Sequence, residues 1–527
     1  MQAFLDGLLK VVQTANAYLA DYVLIILLIG TGLYFTIRTK FVQIRCFGQG
    51  MRKVFGNFKL HGGKQKSGMS SFQAFTTAVA AQVGTGNIVG ACAAILTGGP
   101  GAIFWMWIIA FLGMATVYSE AVLAQKTKKV NEDGTISGGP VYYIRTAFKG
   151  NFGKFLAGFF AVAIIIALGF IGSMVQSNSI ALAVTDAINI PTWVIGLVIA
   201  LLAGIIFIGG ASRIASVTEK IVPIMAIIYL LGGLVIICFR IPVLPEALGM
   251  IFKFAFIPDA IIGGGIGYAL KTAISMGAKR GLFSNEAGMG STPHAHAQAN
   301  VKTPHEQGTA AIVGVFLDTF IVLTMTALIV ITTLYAGDGD IMKITNAAAA
   351  NGTSISEALA AAGYSGNTMV KLAIASLFNG SSVGNTIAAI FIAVCLTFFA
   401  FSTIISWNLF GKINFNYLFG KKATIIYSVL AILFIFLGSL LSNSLVWECA
   451  DFFNYLMVIP NVIALLALSG MVVNEVKTNG KRKSADETPH QALFNQNKDE
   501  VSVENQINDA GVCENQVKID ENDNNSL

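Results

Sequence analysis

Two short glycine-rich stretches interrupt otherwise apolar segments and carry the groups best suited to bind a ligand. The first is Gly-Thr-Gly-Asn at 84–87, and the second covers 281–290. In a bilayer such a stretch breaks a helix and releases backbone groups, which protein or an aqueous cavity must satisfy. Freed amides at a half-helix N-terminus can hold an anionic group, and freed carbonyls can hold a cation. The alternative for the first stretch is close helix packing, which Gly86 and Gly90 would allow.

The composition indicates that these stretches lie in a membrane protein. Of the 527 residues, 55% are hydrophobic and only 12% are charged, against about 25% charged in soluble proteins. Apolar runs of about 20 residues, long enough to cross a bilayer, recur along the chain. The net charge of +6 does not predict a nucleic-acid partner, because the basic residues cluster in loops between spans. The six cysteines have no paired spacing, which argues against disulfides and zinc.

The apolar segments predict about eleven transmembrane helices. The loop at 38–69 is basic, so the positive-inside rule places it in the cytoplasm, with the N-terminus outside and the C-terminus inside. A polar outer segment, 336–380, is expected to contain a helix at 354–362. The chain from about Asn479 onward is polar and predicts a disordered cytoplasmic tail. The spans are expected near 18–37, 70–97, 102–125, 152–185, 192–211, 216–240, 259–300, 307–335, 383–410, 422–441 and 451–474.

Ten of these spans form two sets of five. Each set opens with a broken segment, and the two broken segments enter the membrane from opposite sides. Matched breaks in two halves of opposite orientation are typical of inverted-repeat transporters. The predicted organisation is an extra N-terminal helix with its basic loop, two five-span repeats and a disordered tail, at 1–69, 70–240, 241–474 and 475–527 respectively.

Four motifs resemble the alanine/glycine:cation symporter family, the sodium:alanine symporters of the amino acid–polyamine–organocation superfamily. They are VGTGNI at 83–88, GGPGAIFWMW at 98–107, GGPVYYI at 138–144 and GLFSNEAGMGS at 281–291. The resemblance covers about residues 15 to 475. It implies an all-α membrane protein with the leucine-transporter-type fold: a 5+5 inverted repeat with one extra N-terminal helix and two broken helices. It also implies sodium-coupled uptake of alanine, glycine or a similar small neutral amino acid across the cell membrane.

The resemblance also implies a sodium site. The first break is similar to Val-Gly-Leu-Gly-Asn of the neurotransmitter:sodium symporters, whose corresponding carbonyls and hydroxyls hold a sodium ion. Here these groups are the carbonyls of Ala80 and Val83 and the hydroxyls of Ser402 and Thr403. A hard cation such as sodium prefers oxygen ligands of this kind. The alternative for the two hydroxyls is that they bond carbonyls of their own helix.

A zwitterionic substrate needs donors for its carboxylate and acceptors for its ammonium group. The amides of Thr85 and Gly86, at a half-helix N-terminus, suit the carboxylate, in line with the resemblance. Carbonyls freed at Phe283 and Ser284 suit the ammonium group, and Asn285 can offer either sign. The full set of predicted substrate-binding residues is Thr85, Gly86, Asn87, Gln176, Phe283, Ser284, Asn285 and Trp407.

Three of these residues are expected to close the cavity. Gln176 is expected to face it, the alternative being a helix–helix hydrogen bond. Trp407, one turn beyond Thr403, is expected to wall the side-chain pocket, the alternative being a tryptophan at the membrane interface. Phe283 lies in the second break and favours a pocket wall over core packing.

Three acids lie within predicted spans, namely Glu120, Glu286 and Asp318. Acids in lipid are costly and point to function. Glu286 could pair with Arg280 or Lys279, and Glu120 could be a structural partner. A proton-coupled carrier using Glu286 or Glu120 is therefore the main alternative.

Other classes of function fit the sequence less well. A channel would need a continuous polar pore, and a receptor a large soluble domain. A nucleophile–base pair that would indicate an enzyme is lacking. His294 and His296 are two residues apart and do not predict a metal site. The preferred amino acid, the stoichiometry and the oligomeric state stay open.

Overall fold

The computed structural model describes residues 2–56, 68–132, 134–257, 266–351, 353–379, 381–441 and 443–479. Helices make up most of these ranges, together with two pairs of two-residue strands. The predicted all-α membrane class is therefore confirmed. The predicted tail lies outside the described residues from 480 onward, and its first five residues complete the helix Ser469–Asn479.

Eight helices in the described ranges are long and apolar enough to cross a membrane. They are Gly7–Arg38, Gly101–Thr127, Gly150–Ile188, Gly210–Phe239, Pro304–Tyr335, Ser382–Phe419, Lys421–Gly438 and Leu445–Ala467. The pair Ser71–Gln82 and Gly86–Gly98, bent by 45° at the first break, adds a ninth span. Thr192–Ile208 is shorter than these spans, and Ile266–Asn285 carries three cations. Whether these two segments also cross the membrane, which would give the predicted eleven spans, remains a prediction.

Several helices begin or end well outside the predicted limits. The first continues back to Gln2 instead of starting near residue 18, and the last membrane helix begins at Asn443 instead of 451. The helix predicted to end at 410 continues to Phe419. Apolar runs mark only the part of a helix that lies in hydrocarbon, because beyond it polar residues can continue the helix in water.

Short helices fill the segments between spans. The segment after Pro304–Tyr335 contains Asp340–Asn351, Ile355–Ala361 and Met369–Ser376. The second of them matches the helix predicted at 354–362, whereas the other two were not predicted. Further connecting helices are Phe47–Phe55, Pro140–Ala147 and Leu244–Phe256.

Two parallel strands connect the two broken segments at one end of the bundle. Met69–Ser70 precedes the first broken helix and pairs with Ala299–Asn300, which follows the short helix Pro293–Ala297 of the second. The Met69 amide donates to the Gln298 carbonyl at 2.8 Å. We call this pair the strand clasp. A separate antiparallel pair joins Lys129–Val130 to Ile136–Ser137.

The first broken helix begins at a well-formed cap beside the strand clasp. The Ser70 hydroxyl accepts from the Gln73 amide, and the Gln73 side chain accepts from the Ser70 amide, which is a complete capping box. From this cap the helix runs into the protein interior, where it packs against Ser382–Phe419 and Gly210–Phe239. Both partner helices therefore fix where the first break lies.

Candidate substrate and cation site

The first break frees two carbonyl groups by diverting the amides that would have bonded them. The Gly84 amide donates to the Gln82 carbonyl and to Asn87 Oδ1, both at 3.0 Å, instead of closing a helical turn on Ala80. The Asn87 amide donates to the Gly84 carbonyl at 3.3 Å instead of that of Val83. The carbonyls of Ala80 and Val83 therefore project from the break without their helical partners.

Three carbonyl oxygens converge on one hydroxyl beside this break. Thr403 Oγ1 lies 2.8 Å from the Ala80 oxygen, 3.0 Å from the Phe399 oxygen and 3.5 Å from the Val83 oxygen. A threonine hydroxyl has one proton, so it cannot satisfy three acceptors. The surplus of lone pairs is a suitable environment for a hard cation. The Phe399 carbonyl was missed in the sequence, because a backbone ligand leaves no mark on residue type.

Ser402 occupies the edge of this oxygen cluster. Its hydroxyl donates to the Phe399 carbonyl at 2.9 Å and lies 3.5 Å from Met225 Sδ. It thus shares one carbonyl with Thr403, but its hydrogen bonds stay away from the first break. The Ser402 hydroxyl therefore bonds a carbonyl of its own helix, which is the alternative to cation binding. Its role as a cation ligand remains a prediction.

Gly84 allows the close approach of two other side chains to the break. A Cβ atom at this position would lie 2.5 Å from Thr403 Oγ1 and 3.3 Å from Gln176 Oε1. Gln176 Oε1 accepts a hydrogen bond from the Thr85 amide at 3.2 Å. Gln176 therefore faces the break, as expected, and also forms the interhelical bond of the alternative interpretation. The Thr85 amide, predicted to hold the substrate carboxylate, is bonded to this glutamine.

Besides Gln82 Oε1 at the end of the preceding helix, two buried polar groups at the first break have no hydrogen-bond partner within the described part of the chain. They are the Thr85 hydroxyl and the Nε2 amide group of Gln176. A buried polar group without a partner costs about 1–3 kcal/mol, so such groups are uncommon unless a ligand or water completes them. Both lie next to the freed carbonyls and could bind the polar ends of a substrate.

The second break frees carbonyls by the same means. The Ala287 amide bonds Asn285 Oδ1 at 3.1 Å, and the Gly288 amide bonds a buried carboxylate at 3.2 Å. In a continuous helix these amides would have bonded the carbonyls of Phe283 and Ser284. The two carbonyls predicted to accept the substrate ammonium group are therefore released, and their ligand role remains a prediction.

The carboxylate that supports this turn belongs to Glu120. Its Oε2 accepts from the Gly288 amide at 3.2 Å, and its Oε1 accepts from the Gly290 amide at 3.0 Å and from Asn461 Nδ2 at 2.6 Å. Gly288 and Gly290 have φ values of +89° and +79°, which suit glycine. Glu120 thus holds the second break in shape, which is the structural alternative considered for this acid.

Asp318 connects the two breaks. Its fully buried carboxylate accepts from Asn87 Nδ2 at 2.6 Å, from Ser284 Oγ at 2.9 Å and from Thr319 Oγ1 at 2.8 Å. Asn285 Nδ2 in turn lies 3.3 Å from Thr319 Oγ1. Four polar side chains of the site are thus joined through this one acid. The side chains of Asn87 and Asn285 are engaged in holding the breaks, and their predicted contact with substrate remains untested.

Two aromatic side chains form a wall beside the breaks. Trp407 is only 2% exposed and meets Phe283 edge-to-face, with ring centroids 6.1 Å apart. This burial excludes the interpretation of Trp407 as an interfacial tryptophan. Phe283 also packs on Trp447, at 5.1 Å, and a Cβ atom at Gly86 would lie 3.1 Å from the Phe283 ring. The wall therefore contacts both breaks directly.

The predicted pairing of Glu286 with Arg280 or Lys279 is wrong. Arg280 forms an ion pair with Asp451 at 3.2 Å, and Lys279 forms one with Asp21 at 3.5 Å. Both cations precede the break and point toward neighbouring helices. Glu286 begins the turn of the break and binds the Trp407 indole N–H instead, at 2.5 Å.

The histidines near the second break bond neighbouring polar groups. His294 contacts the Ser291 carbonyl and Asn414, and His296 contacts Gln307. The ranges that the structure describes contain no group of three His, Cys, Asp or Glu residues able to hold a metal ion. The five cysteines in those ranges are free thiols.

Comparison with known proteins identifies relatives along nearly the whole chain. The sodium/alanine symporter AgcS of Methanococcus maripaludis is 38% identical over 470 residues, covering 89% of this chain and 96% of that protein. The amino-acid carrier protein AlsT of Bacillus subtilis is 37% identical over 484 residues, covering 92% and 94%. Identity at this level over such a length indicates a shared family.

A solved structure supports the predicted fold. The crystal structure of MhsT in complex with L-phenylalanine superposes with a TM-score of 0.51 at 14% sequence identity, covering 79% of this chain and 99% of that chain. At this identity the likeness shows the fold alone, and the predicted leucine-transporter-type fold is confirmed. The profile of the sodium:alanine symporter family matches residues 5–493. The chain therefore belongs to the sodium:alanine symporter family, and it is a multi-pass membrane transporter rather than an enzyme.

Proposed function

We propose that this protein is a sodium-coupled symporter that takes up alanine, glycine or a similar small neutral amino acid by alternating access. The observation that carries this proposal is the convergence of three carbonyl oxygens on the single hydroxyl of Thr403. The cluster has oxygen donors without a fixed charge, which favours a monovalent hard cation over a transition metal.

The cation and the substrate would share one segment of the chain. Ala80 and Val83 supply carbonyls to the oxygen cluster, and Thr85, two residues on, has a buried hydroxyl without a partner. Binding of a cation to the cluster would stiffen the break that also contacts the substrate. Coupling between the two ligands then needs no distant pathway, because each would stabilise the same backbone conformation.

The wall beside the breaks supports a small substrate. The partnerless groups of Thr85 and Gln176 and the freed carbonyls of the second break would fix the polar ends of an amino acid. The rings of Phe283 and Trp407 meet edge-to-face beside the breaks and would form the wall of the side-chain pocket. A close-packed wall excludes a large side chain more strongly than it distinguishes a single methylene group.

One feature also supports a proton-coupled carrier as the second candidate. Glu120, Glu286 and Asp318 are fully buried, and no ion pair involves them within the described residues. Buried acids without cationic partners are the usual proton carriers of transporters. Each of the three accepts hydrogen bonds from neutral donors, however, so a structural role accounts for them as well.

Uptake by the purified protein in proteoliposomes distinguishes the two candidates. Labelled alanine is added under an inward sodium gradient, an inward potassium gradient or an inward pH gradient, each with the membrane potential clamped. We expect accumulation with sodium alone. Accumulation driven by the pH gradient in the absence of sodium would favour the proton-coupled carrier. A lack of alanine uptake under every gradient, with uptake of another amino acid, would reject the proposed substrate.

A further inference from the structure

Glu286 has a backbone conformation that is rare for any residue other than glycine. Its φ is +57°, in the left-handed region that residues with a Cβ atom rarely adopt, and its side chain is fully buried. The conformation is secured on both sides, because its amide donates to the Leu282 carbonyl at 2.9 Å and its carbonyl accepts from Met289 at 3.1 Å. The second break thus aims this carboxylate in a fixed direction.

The carboxylate is directed at the indole of Trp407. Oε1 accepts the indole N–H at 2.5 Å, and Oε2 accepts the Ser291 hydroxyl. An indole has a single donor, so this bond determines which way the N–H edge of the ring faces.

The remaining contacts of the ring allow little other freedom. A Cβ atom at Gly172 would lie 2.7 Å from Trp407 Cζ3, so the helix containing Gly172 touches the ring directly. Phe283 meets the ring from another side, nearly perpendicular to it at 89°. With Gly172 and Phe283 in contact with the ring, the Glu286 bond is the polar contact that sets its final orientation.

We propose that Glu286 is the positioning residue of the side-chain pocket. Its carboxylate holds the indole of Trp407 against Phe283 and thereby limits the size of the substrate side chain. This inference rests on the proposed amino acid transport and assigns a task to an acid that transport otherwise leaves unused. Glu286 acts here as a hydrogen-bond acceptor, so its negative charge is not required.

The same contact joins the second break to the helix that carries the cation cluster. Trp407 lies four residues after Thr403 on Ser382–Phe419, which is about one helical turn. Movement of that helix toward or away from the second break would therefore displace the pocket wall and the cluster together. Loss of the Glu286 bond would affect the wall first, since Thr403 has its own contacts with the first break.

The experiment compares substrate selectivity in four variants. The measured quantity is the leucine concentration that halves labelled alanine uptake, divided by the unlabelled alanine concentration that does so. In Glu286→Ala we expect this ratio to fall about tenfold, in keeping with the loss of one buried hydrogen bond. Glu286→Gln keeps an acceptor oxygen and should retain most of the wild-type ratio. Trp407→Phe lacks the N–H and should lower the ratio, and adding Glu286→Ala to it should lower the ratio no further.

Trp105→Phe is the matched control, because it also removes an indole N–H, which in Trp105 bonds the Ala255 carbonyl at 3.0 Å, outside both breaks. Its ratio should equal that of the wild type. An unchanged ratio in Glu286→Ala, an equal loss in Glu286→Gln, or additive losses in the double variant would each overturn the inference. Should Glu286→Ala lose uptake altogether, an unchanged ratio in Trp407→Phe would overturn it too. A wild type without sodium-driven alanine uptake would instead reject the proposed function, so the two failures are distinguishable.

Discussion

The hydroxyl of Thr403 has more acceptors than it can satisfy. Its proton can be given to the carbonyl of Ala80, of Val83 or of Phe399, and the oxygens left over repel one another when they lie in a buried site. A cation among them would replace that repulsion by attraction, and Thr403 would then turn its lone pairs inward. At the scale of the residue, this excess of acceptors is what links the first break to ion binding.

Removal of this hydroxyl should weaken sodium dependence without preventing insertion. We expect Thr403→Ala to raise the sodium concentration for half-maximal alanine uptake about tenfold, equivalent to losing about 1.4 kcal/mol of binding. Thr397→Ala is the control, because Thr397 lies on the same helix and its hydroxyl bonds only the Ala393 carbonyl, at 2.7 Å. Sodium titration of uptake in proteoliposomes measures both. An equal shift in the two variants would remove Thr403 from the site.

A methyl group at Gly84 should disturb the same contacts from the other side. Its Cβ atom would lie 2.5 Å from Thr403 Oγ1, closer than any ordinary contact, so one of the two segments must move. We expect Gly84→Ala to insert in the membrane and to lose most sodium-driven uptake. Gly158→Ala is a suitable control, because a Cβ atom at that helical glycine meets nothing within 4 Å. Normal uptake by Gly84→Ala would show that the break tolerates a wider spacing.

Sequence could predict the breaks and much of their chemistry, but not every partner. The glycines at 84 and 86 and the polar residues beside them are visible in the chain, and with the family resemblance they indicate where carbonyls are freed. The Phe399 carbonyl could not be found in this way, because any residue type can offer a backbone carbonyl. The hydrogen bonds of Asp318 to both breaks could not be found either, because contacts between distant residues produce no recognisable sequence spacing. Trp407 lies buried beside the breaks, and its predicted role as a pocket wall stays a prediction. Its bond to Glu286 could not be predicted, because it depends on the turn that only the folded break produces.

At the scale of elements, the strand clasp ties together one end of each broken segment. Ser70 pairs with Asn300, just before the first broken helix and just after the second broken segment. Lys128 Nζ adds a hydrogen bond to the Ala299 carbonyl at 2.8 Å. Strands of two residues have no periodicity, so this feature could not be predicted from sequence. Alternating access requires at least one broken segment to move, and the clasp directly connects the two segments.

Cross-linking the clasp tests whether it opens during transport. Ser70 and Asn300 are register partners. Neighbouring strands lie about 4.8 Å apart, which is within the Cα–Cα range that a disulfide can span. We expect Ser70→Cys/Asn300→Cys to lose alanine uptake on oxidation and to regain it on reduction, because alternating access would require the two clasped ends to separate. Each single variant under the same oxidation is the control. Full uptake by the cross-linked protein would show that the two segments move together as one unit.

At the scale of the whole molecule, both breaks free backbone carbonyls in the same way. In each, amides are diverted to a side chain, Asn87 Oδ1 in the first and Asn285 Oδ1 in the second, and carbonyls nearby are freed. Such correspondence is what an inverted repeat would produce, with the two breaks related by a pseudo-two-fold axis. The division into repeats at 70–240 and 241–474 stays a prediction, and it depends on the two halves crossing the membrane in opposite directions.

Accessibility of two exposed positions tests this orientation. In a variant without native cysteines, Gly48→Cys and Glu357→Cys place single thiols on exposed positions of the helices Phe47–Phe55 and Ile355–Ala361. The basic loop that contains Gly48 is expected in the cytoplasm, because positive charges are retained on that side. We therefore expect a membrane-impermeant maleimide to label Glu357→Cys in intact cells and Gly48→Cys only after permeabilisation. Labelling of Gly48→Cys in intact cells would show that the predicted topology is inverted. The direction assigned to each half-helix and the proposed direction of uptake would then have to be reversed.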